Sequence, residues 1–199
     1  MKKTSLLLGK LFLGAAVLSL SLVSCKQEPK QEDPKEMAED SNEEKFEDMP
    51  NDSLEDDSSY LVAAAEINRA EIELSKLAQK KSTNADVKAL AKMMETAHTK
   101  AESDVKALAG KKNITIPVAL TEDKQEEYNK LNEKTGNDFD KAFADDLVSG
   151  HEKAVSKIEK AAEKAKDPDI KMWAANMLPA LKEHLASAKA LKEKTDALK

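Results

Sequence analysis

Three histidines and one glutamate are the residues of this chain whose types and surroundings could do chemistry. His98, His151 and His184 each lie in an apolar stripe of a different predicted helix, and Glu71 lies in the stripe of a fourth. Each is near the middle of its helix, so all four share one level of a bundle. Imidazole nitrogen and carboxylate oxygen suit Zn, Mn, Fe or Cu. The four side chains are therefore candidate ligands of one divalent metal.

A buried polar network is the alternative interpretation of the same four side chains. A core histidine usually satisfies a neighbouring polar group, and a buried Glu among histidines can fix the register of packed helices. The sequence favours this network over a metal site, because residue types without known geometry seldom establish metal binding.

The chain has only part of the ligand pattern of a complete di-iron site. Such a site takes Glu from two helices and a Glu-x-x-His motif from each of the other two. Glu95 and His98 fit that motif, but Val148 and Leu181 stand three residues before the other histidines. Glu102, one turn after His98, is a further candidate ligand, although an exposed position is the simpler interpretation.

Four long helices are predicted to position these residues. Few Gly and aromatic residues, with much Ala, Leu, Lys and Glu, favour helices. Apolar spacing of three and four residues predicts helices over 60–81, 85–109 and 137–165, with Gly110 ending the second. Asp167 and Pro168 supply a cap and a first-turn proline for the fourth. The predicted inner stripe of the first helix is Tyr60, Ala63, Ile67, Ala70, Leu74 and Leu77.

The lengths of the connections predict the topology. About two residues join the first helix to the second and the third to the fourth, so each pair forms an antiparallel hairpin. The link over 110–136 is long enough to run the length of the bundle and contains a short helical stretch around 122–133. The predicted fold is all-α, a ferritin-like four-helix bundle over 60–199 with a long crossover containing a short extra helix.

The N-terminus predicts a lipoprotein. Lys2 and Lys3 precede an apolar stretch over 11–23, and Leu22-Val23-Ser24-Cys25 resembles a bacterial lipobox. We expect residues 1–24 to be removed as a signal peptide and Cys25 to carry acyl chains. An uncleaved membrane helix is the alternative, but the stretch is shorter than the roughly 20 residues that a span needs. The lipid would anchor the protein in the cell envelope, at the outer membrane. Cys25 is the one cysteine of the sequence, so we expect no internal disulfide.

Residues 25–59 are predicted to be the lipidated cysteine and an acidic disordered tether. Residues 26–59 hold 14 acidic and 4 basic side chains with few large apolar ones, which disfavours a packed core. A flexible chain of this length spans roughly 30–35 Å. The folded part is close to neutral, which excludes nucleic acid as an expected partner.

Five separated motifs carry a family resemblance. They are A-E-I-N-R-A-E-I-E-L-S-K-L-A, A-K-M-M-E-T-A-H-T-K-A, N-I-T-I-P, F-D-K-A-F-A-D-D-L-V-S-G-H-E-K-A-V and L-P-A-L-K-E-H-L. From residue 60 to about 191 the chain resembles the family called domain of unknown function 4142, described as ferritin-like predicted outer-membrane proteins. The resemblance implies a four-helix ferritin-like fold and little chemistry. Ala97 and Gly150 depart from it, since the family usually has Asp before each of the first two histidines.

No catalytic motif accompanies these features. The chain shows no glycine-rich phosphate loop and no Ser or Cys nucleophile paired with a base. The leading expectation is a lipid-anchored envelope helical bundle that acts as a non-catalytic binding or structural module, with a protein partner that the sequence does not identify. The alternative is a metal-binding or redox ferritin-like protein that uses the histidine and glutamate cluster.

Overall fold

Helices make up the fold of the described chain. The computed structural model describes residues 33–47 and 53–197, which form six helices and no strand. The helices are α1 Pro34–Phe46, α2 Ser53–Lys81, α3 Ala85–Lys112, α4 Glu122–Glu133, α5 Gly136–Lys164 and α6 Pro168–Asp196. The predicted all-α bundle with a short helix in its crossover is confirmed. Within the described ranges, each helix is too short or too polar to span a bilayer.

Side-chain caps explain where several helices begin. Asn84 accepts hydrogen bonds from the first backbone N–H groups of α3, and Asp167 does the same for α6, whose first residue is Pro168. The end of α3 differs from the prediction. The helix continues past Gly110 to Lys112, because Asn113 takes the left-handed conformation with φ of 56° and ends it.

Contacts between the helices establish the ferritin-like order. α2 packs along α3, and α5 packs along α6, while α2 also contacts α5 and α3 contacts α6 more sparsely. Lys112 pairs with Asp167, and Lys194 pairs with Asp86, so α3 and α6 run antiparallel. The crossover returns the chain to the other end of the bundle, which makes α3 and α5 parallel.

The crossover helix α4 lies over α2 and α5. The Thr121 hydroxyl donates a hydrogen bond to Glu66 Oε1 at 3.1 Å, at the start of α4. At its far end, Lys81 donates to the backbone carbonyl of Asn132. α4 therefore follows α2 from its middle to its end.

A polar layer separates two apolar halves of the core. One half contains Leu61, Val105 and Ile158, and the other contains Met94 and Phe143. On α3, α5 and α6 the histidine falls between the residues of one half and those of the other. The hydrophobic effect thus stabilises the bundle on both sides of the layer that contains the histidines.

The N-terminal helix α1 corrects the prediction of a disordered tether. Its inner face buries Ala38, Asn42 and Phe46, and it packs on α2. The Asn42 amide donates to the Thr115 carbonyl at 2.9 Å and accepts from the Thr115 N–H at 2.7 Å. The prediction of disorder is wrong for 34–46 and for 53–59, where α2 has already begun. Cys25 and the predicted signal peptide lie outside the described residues.

Candidate metal centre

Three helices bring the three histidines together in the polar layer. α3 supplies His98, α5 supplies His151 and α6 supplies His184, and one ring nitrogen from each lies within 4.8 Å of the others. His98 and His151 are each 1% exposed, while His184 is half-buried. The ring centroids are 5.4 to 5.5 Å apart. The sequence prediction placed these histidines at one level, and the structure places them in one cluster.

Hydrogen bonds to the outer ring nitrogens orient two of the histidines. The Nδ1 atom of His98 lies 2.8 Å from Asn68 Oδ1, and Nδ1 of His151 lies 2.8 Å from the carbonyl oxygen of Leu147. Both partners are oxygen acceptors, so each Nδ1 carries the proton. In a neutral imidazole the other nitrogen then has a free lone pair. Both Nε2 atoms are therefore electron-pair donors.

These two donors face each other. Nε2 of His98 lies 3.3 Å from Nε2 of His151. Two lone pairs at that separation repel unless a cation lies between them or close to both. Two nitrogens bound tetrahedrally to a metal at about 2.0–2.1 Å are about 3.3–3.4 Å apart, so the pair already has the spacing of two ligands of one ion.

His184 supplies the third nitrogen. Its Nδ1 atom is buried and has no hydrogen-bond partner, which is a costly arrangement for a polar atom. This unpartnered nitrogen leaves His184 available to an ion at the cluster.

Burial keeps all three imidazoles neutral near pH 7. Loss of hydration, with a smaller contribution from the two neighbouring histidines, lowers the pKa of His98 to about 3. Burial also lowers the pKa of His151 to about 4 and lowers the pKa of His184. A metal ion binds neutral imidazole, so the cluster is held in its ligating form.

Glu71 lies next to the cluster but on its other side. Its Oε1 atom is 3.6 Å from Nδ1 of His151, the ring nitrogen that points away from His98. Its Oε2 atom is buried without a hydrogen-bond partner. Burial raises the pKa of this carboxyl to about 8, with a smaller contribution from the charge of Glu127, so it is mostly protonated at pH 7. Glu71 therefore lies behind His151 and not among the three converging nitrogens.

Gly150 makes room for this carboxyl. A β-carbon at residue 150 would lie 2.8 Å from Glu71 Oε1, closer than real contacts allow. Both residues line a cavity of 440 Å³ between α2, α4 and α5, which also contains Lys153 and Glu127. Gly150, which departs from the family pattern, thus lies against the buried carboxyl of Glu71 on the facing helix.

The other carboxylates considered from sequence have partners elsewhere. Glu95 accepts a hydrogen bond from Gln79 at 2.7 Å, and Glu102 forms an ion pair with Arg69. Neither belongs to the group of converging ligand atoms. Asn68 is the site residue that sequence reasoning missed. Its only signal was an amide one turn before Glu71, among apolar residues of the same helix.

A groove between α3 and α6 reaches the cluster. The sparse contact between these helices leaves a volume of 650 Å³, walled mainly by apolar side chains such as Leu108, Trp173 and Met177. His98 and His184 also line it. The cluster is thus approached from the groove on one side and backed by Glu71 on the other.

Comparison with known proteins places the chain in a family. No curated protein and no solved structure matches it significantly. The model of one family, described as a domain of unknown function, matches residues 42–191. The match begins within α1, which agrees with a folded domain that starts before residue 60. The resemblance noted from five motifs is confirmed, and the chain belongs to the DUF4142 family.

Proposed function

We propose that this protein binds one late divalent transition metal, Zn²⁺ or Cu²⁺, through His98, His151 and His184. The observation that carries the proposal is the 3.3 Å separation of two Nε2 atoms whose Nδ1 atoms both face oxygen acceptors. A cation removes the repulsion between their lone pairs. The unpartnered Nδ1 of His184 adds a third donor.

The ligand set favours these two metals over the others that the sequence left open. The three converging donors are imidazoles, and the neighbouring Glu71 is mostly protonated at pH 7. Imidazole suits Zn and Cu, whereas Mn prefers carboxylate and water ligands, and affinity rises from Mn²⁺ to Cu²⁺ along the first transition series.

The ion would link the two hairpins of the bundle. His98 belongs to the hairpin of α2 and α3, while His151 and His184 belong to the hairpin of α5 and α6. Binding to the folded state alone stabilises that state. The proposed role is thus a metal-binding helical module.

Metal titration of the full chain, purified without an affinity tag and stripped with chelator, tests this proposal. One equivalent of Zn²⁺ should bind, and at 100 times Kd it should stabilise the fold by about 2.7 kcal/mol. His98→Gln and His151→Gln should lose most of that stabilisation. Glu102→Gln is the matched control, because that carboxylate pairs with Arg69 and should leave metal binding intact. A wild-type melting temperature that Zn²⁺ and Cu²⁺ leave unchanged would overturn the proposal.

A metal-free structural module is the second candidate. The same 3.3 Å separation accommodates an Nε2–H···Nε2 hydrogen bond if Asn68 presents its amide nitrogen to His98 Nδ1 and the proton moves to Nε2. This candidate predicts that His98→Gln destabilises the fold whether or not metal is present. Nitrogen-15 chemical shifts of the imidazoles in chelator distinguish the two tautomers of His98.

We also propose that Cys25 carries a lipid that holds the domain at an envelope membrane, the outer membrane of the cell. Its support is the lipobox-like Leu22-Val23-Ser24-Cys25 after an apolar stretch with two N-terminal lysines. Metabolic labelling with a fatty-acid analogue should mark the wild type. Cys25→Ala should lose the label and the tight membrane association, and retention of both by the variant would exclude the anchor.

A further inference from the structure

The groove between α3 and α6 is continuous with the proposed metal centre. Among the three histidines, His98 and His184 line it, and His184 is the one with substantial exposure. Its volume of 650 Å³ is within the usual range of small-molecule sites. A molecule in this groove can therefore approach the ion from the side of His184.

The coordination shell has space for a donor from outside the described chain. The group of converging ligand atoms in residues 33–47 and 53–197 contains the three histidines without a fourth Cys, Asp or Glu. A tetrahedral site with three protein ligands keeps one position for water or for a ligand. Glu71 and His151 occupy the opposite side, so the fourth donor enters from the groove.

Charge and polarity define that donor. A divalent ion with three neutral imidazoles has a net charge of about +2, which favours an anionic ligand atom. Most of the groove wall is apolar, including Trp173, Met177 and Leu181. The charged groups of its rim are paired, Lys100 with Asp104 and Lys111 with Asp169. The groove wall therefore favours a ligand whose main part is apolar, and the ion favours a ligand with an anionic group at one end.

We infer that the α3/α6 groove binds a small apolar monoanion, such as a medium-chain carboxylate, whose anionic oxygen completes the coordination of the metal. This inference rests on the proposed function. It adds a ligand class that the metal site alone does not define.

The experiment uses the full chain loaded with Co²⁺, whose visible spectrum reports ligand exchange, in one non-ionic detergent throughout. Octanoate and acetate present the same carboxylate with different apolar areas. Octanoate should bind at least about tenfold more tightly, because its chain is removed from water in the groove. Ala180→Phe, at an exposed position of the groove wall, should reduce this preference. Ala190→Phe, exposed on the same helix outside the groove, is the control and should preserve it.

Three other outcomes are informative. Failure of the chain to load Co²⁺, Zn²⁺ or Cu²⁺ overturns the proposed function and this inference with it. Normal loading with equal affinities for octanoate and acetate overturns the groove assignment alone. Equal octanoate binding by metal-free protein, measured by calorimetry, shows that the apolar chain binds without coordination and overturns the role of the metal.

Discussion

The carboxyl of Glu71 occupies the space that a side chain at Gly150 would need. Its Oε1 atom lies 2.8 Å from the position of a β-carbon on that glycine. Glycine in a helix interior normally costs about 1 kcal/mol relative to alanine. At this position the absence of a side chain leaves room for the Glu71 carboxyl beside His151.

Replacing Gly150 with alanine should therefore fail to stabilise the helix. The new methyl group would displace the Glu71 carboxyl, so the usual gain of about 1 kcal/mol should be absent. Gly110→Ala is the control, since a β-carbon there meets nothing within 4 Å. Denaturant unfolding in chelator measures both. In a Glu71→Ala background the gain at residue 150 should return, and additivity of the two changes would contradict the contact.

Stability should respond to pH through Glu71. Its folded pKa of about 8 is above the ordinary value of 4.5, so the folded state holds the proton more tightly. This contribution is complete below pH 4.5 and is lost as the pH rises through 8. Relative to the wild type, Glu71→Gln should gain on the order of 4 kcal/mol between pH 4.5 and 9.

The measurement is the free energy of unfolding of both proteins in chelator across that range. Glu193→Gln removes an exposed carboxylate from α6 and serves as the control. A constant difference between wild type and Glu71→Gln would show that this carboxyl is ionised in the fold at neutral pH.

Asn68 should be required to orient His98. Asn68→Ala leaves the buried Nδ1 of His98 without its acceptor, and the expected loss is about 1–3 kcal/mol of stability. The affinity for Zn²⁺ should fall about 10–100-fold, as for other groups that orient a metal ligand. Ser75→Ala is the matched control, since Ser75 is also buried on α2 and its hydroxyl has no partner. Unchanged zinc affinity in Asn68→Ala would argue against the assigned tautomer.

Helix α1 should contribute to the stability of the whole domain. Asn42→Ala removes both hydrogen bonds to Thr115 from a buried amide, which should cost about 2 kcal/mol. Glu43→Ala changes an exposed neighbour and should have little effect. Chemical unfolding followed by circular dichroism compares them. Equal stability of the two variants would show that α1 folds independently of the bundle.

Sequence periodicity predicted the inner faces of three helices well. The apolar spacing that predicts a helix over 137–165 corresponds on α5 to a face that runs from Phe139 through His151 to Ala161, and this face is buried. The pattern succeeds there because the helix has one face toward the bundle and one toward water. The same pattern also predicted that the three histidines lie at one level of the bundle.

The same reasoning was less accurate for α2. Tyr60, Ala63 and Ile67 of its predicted stripe are half-buried, whereas Leu61 and Val62 are fully buried. α2 contacts α1, α3, α4 and α5, so most of its circumference is covered. A helix without a single solvent face has no periodic signal that separates inside from outside.

Polar anchors explain the remaining differences. The sequence did not predict α1, because the contact of α1 with the crossover depends on the amide of Asn42. Asn is usually exposed, so a sequence pattern assigns it to the surface. Glu71 was expected among the ligands because it shares their level. Asn68 and Glu71 are one helical turn apart on α2 and have different neighbours. Asn68 contacts the ring of His98, whereas Glu71 lies beside the nitrogen of His151 that points away from His98.

The docking of α1 limits the distance between the domain and a lipid on Cys25. Asp33 is the first residue that the structure describes, and its carboxylate accepts a hydrogen bond from the N–H of Glu122 at 2.7 Å. The sequence has seven residues between Cys25 and Asp33, and seven residues in full extension span at most about 25 Å. With the proposed anchor, the side of the bundle where α4 starts, beside the middle of α2, stays near the headgroups. Under that anchor, molecules wider than the gap would be kept from this side of the domain, whereas lipids could reach it.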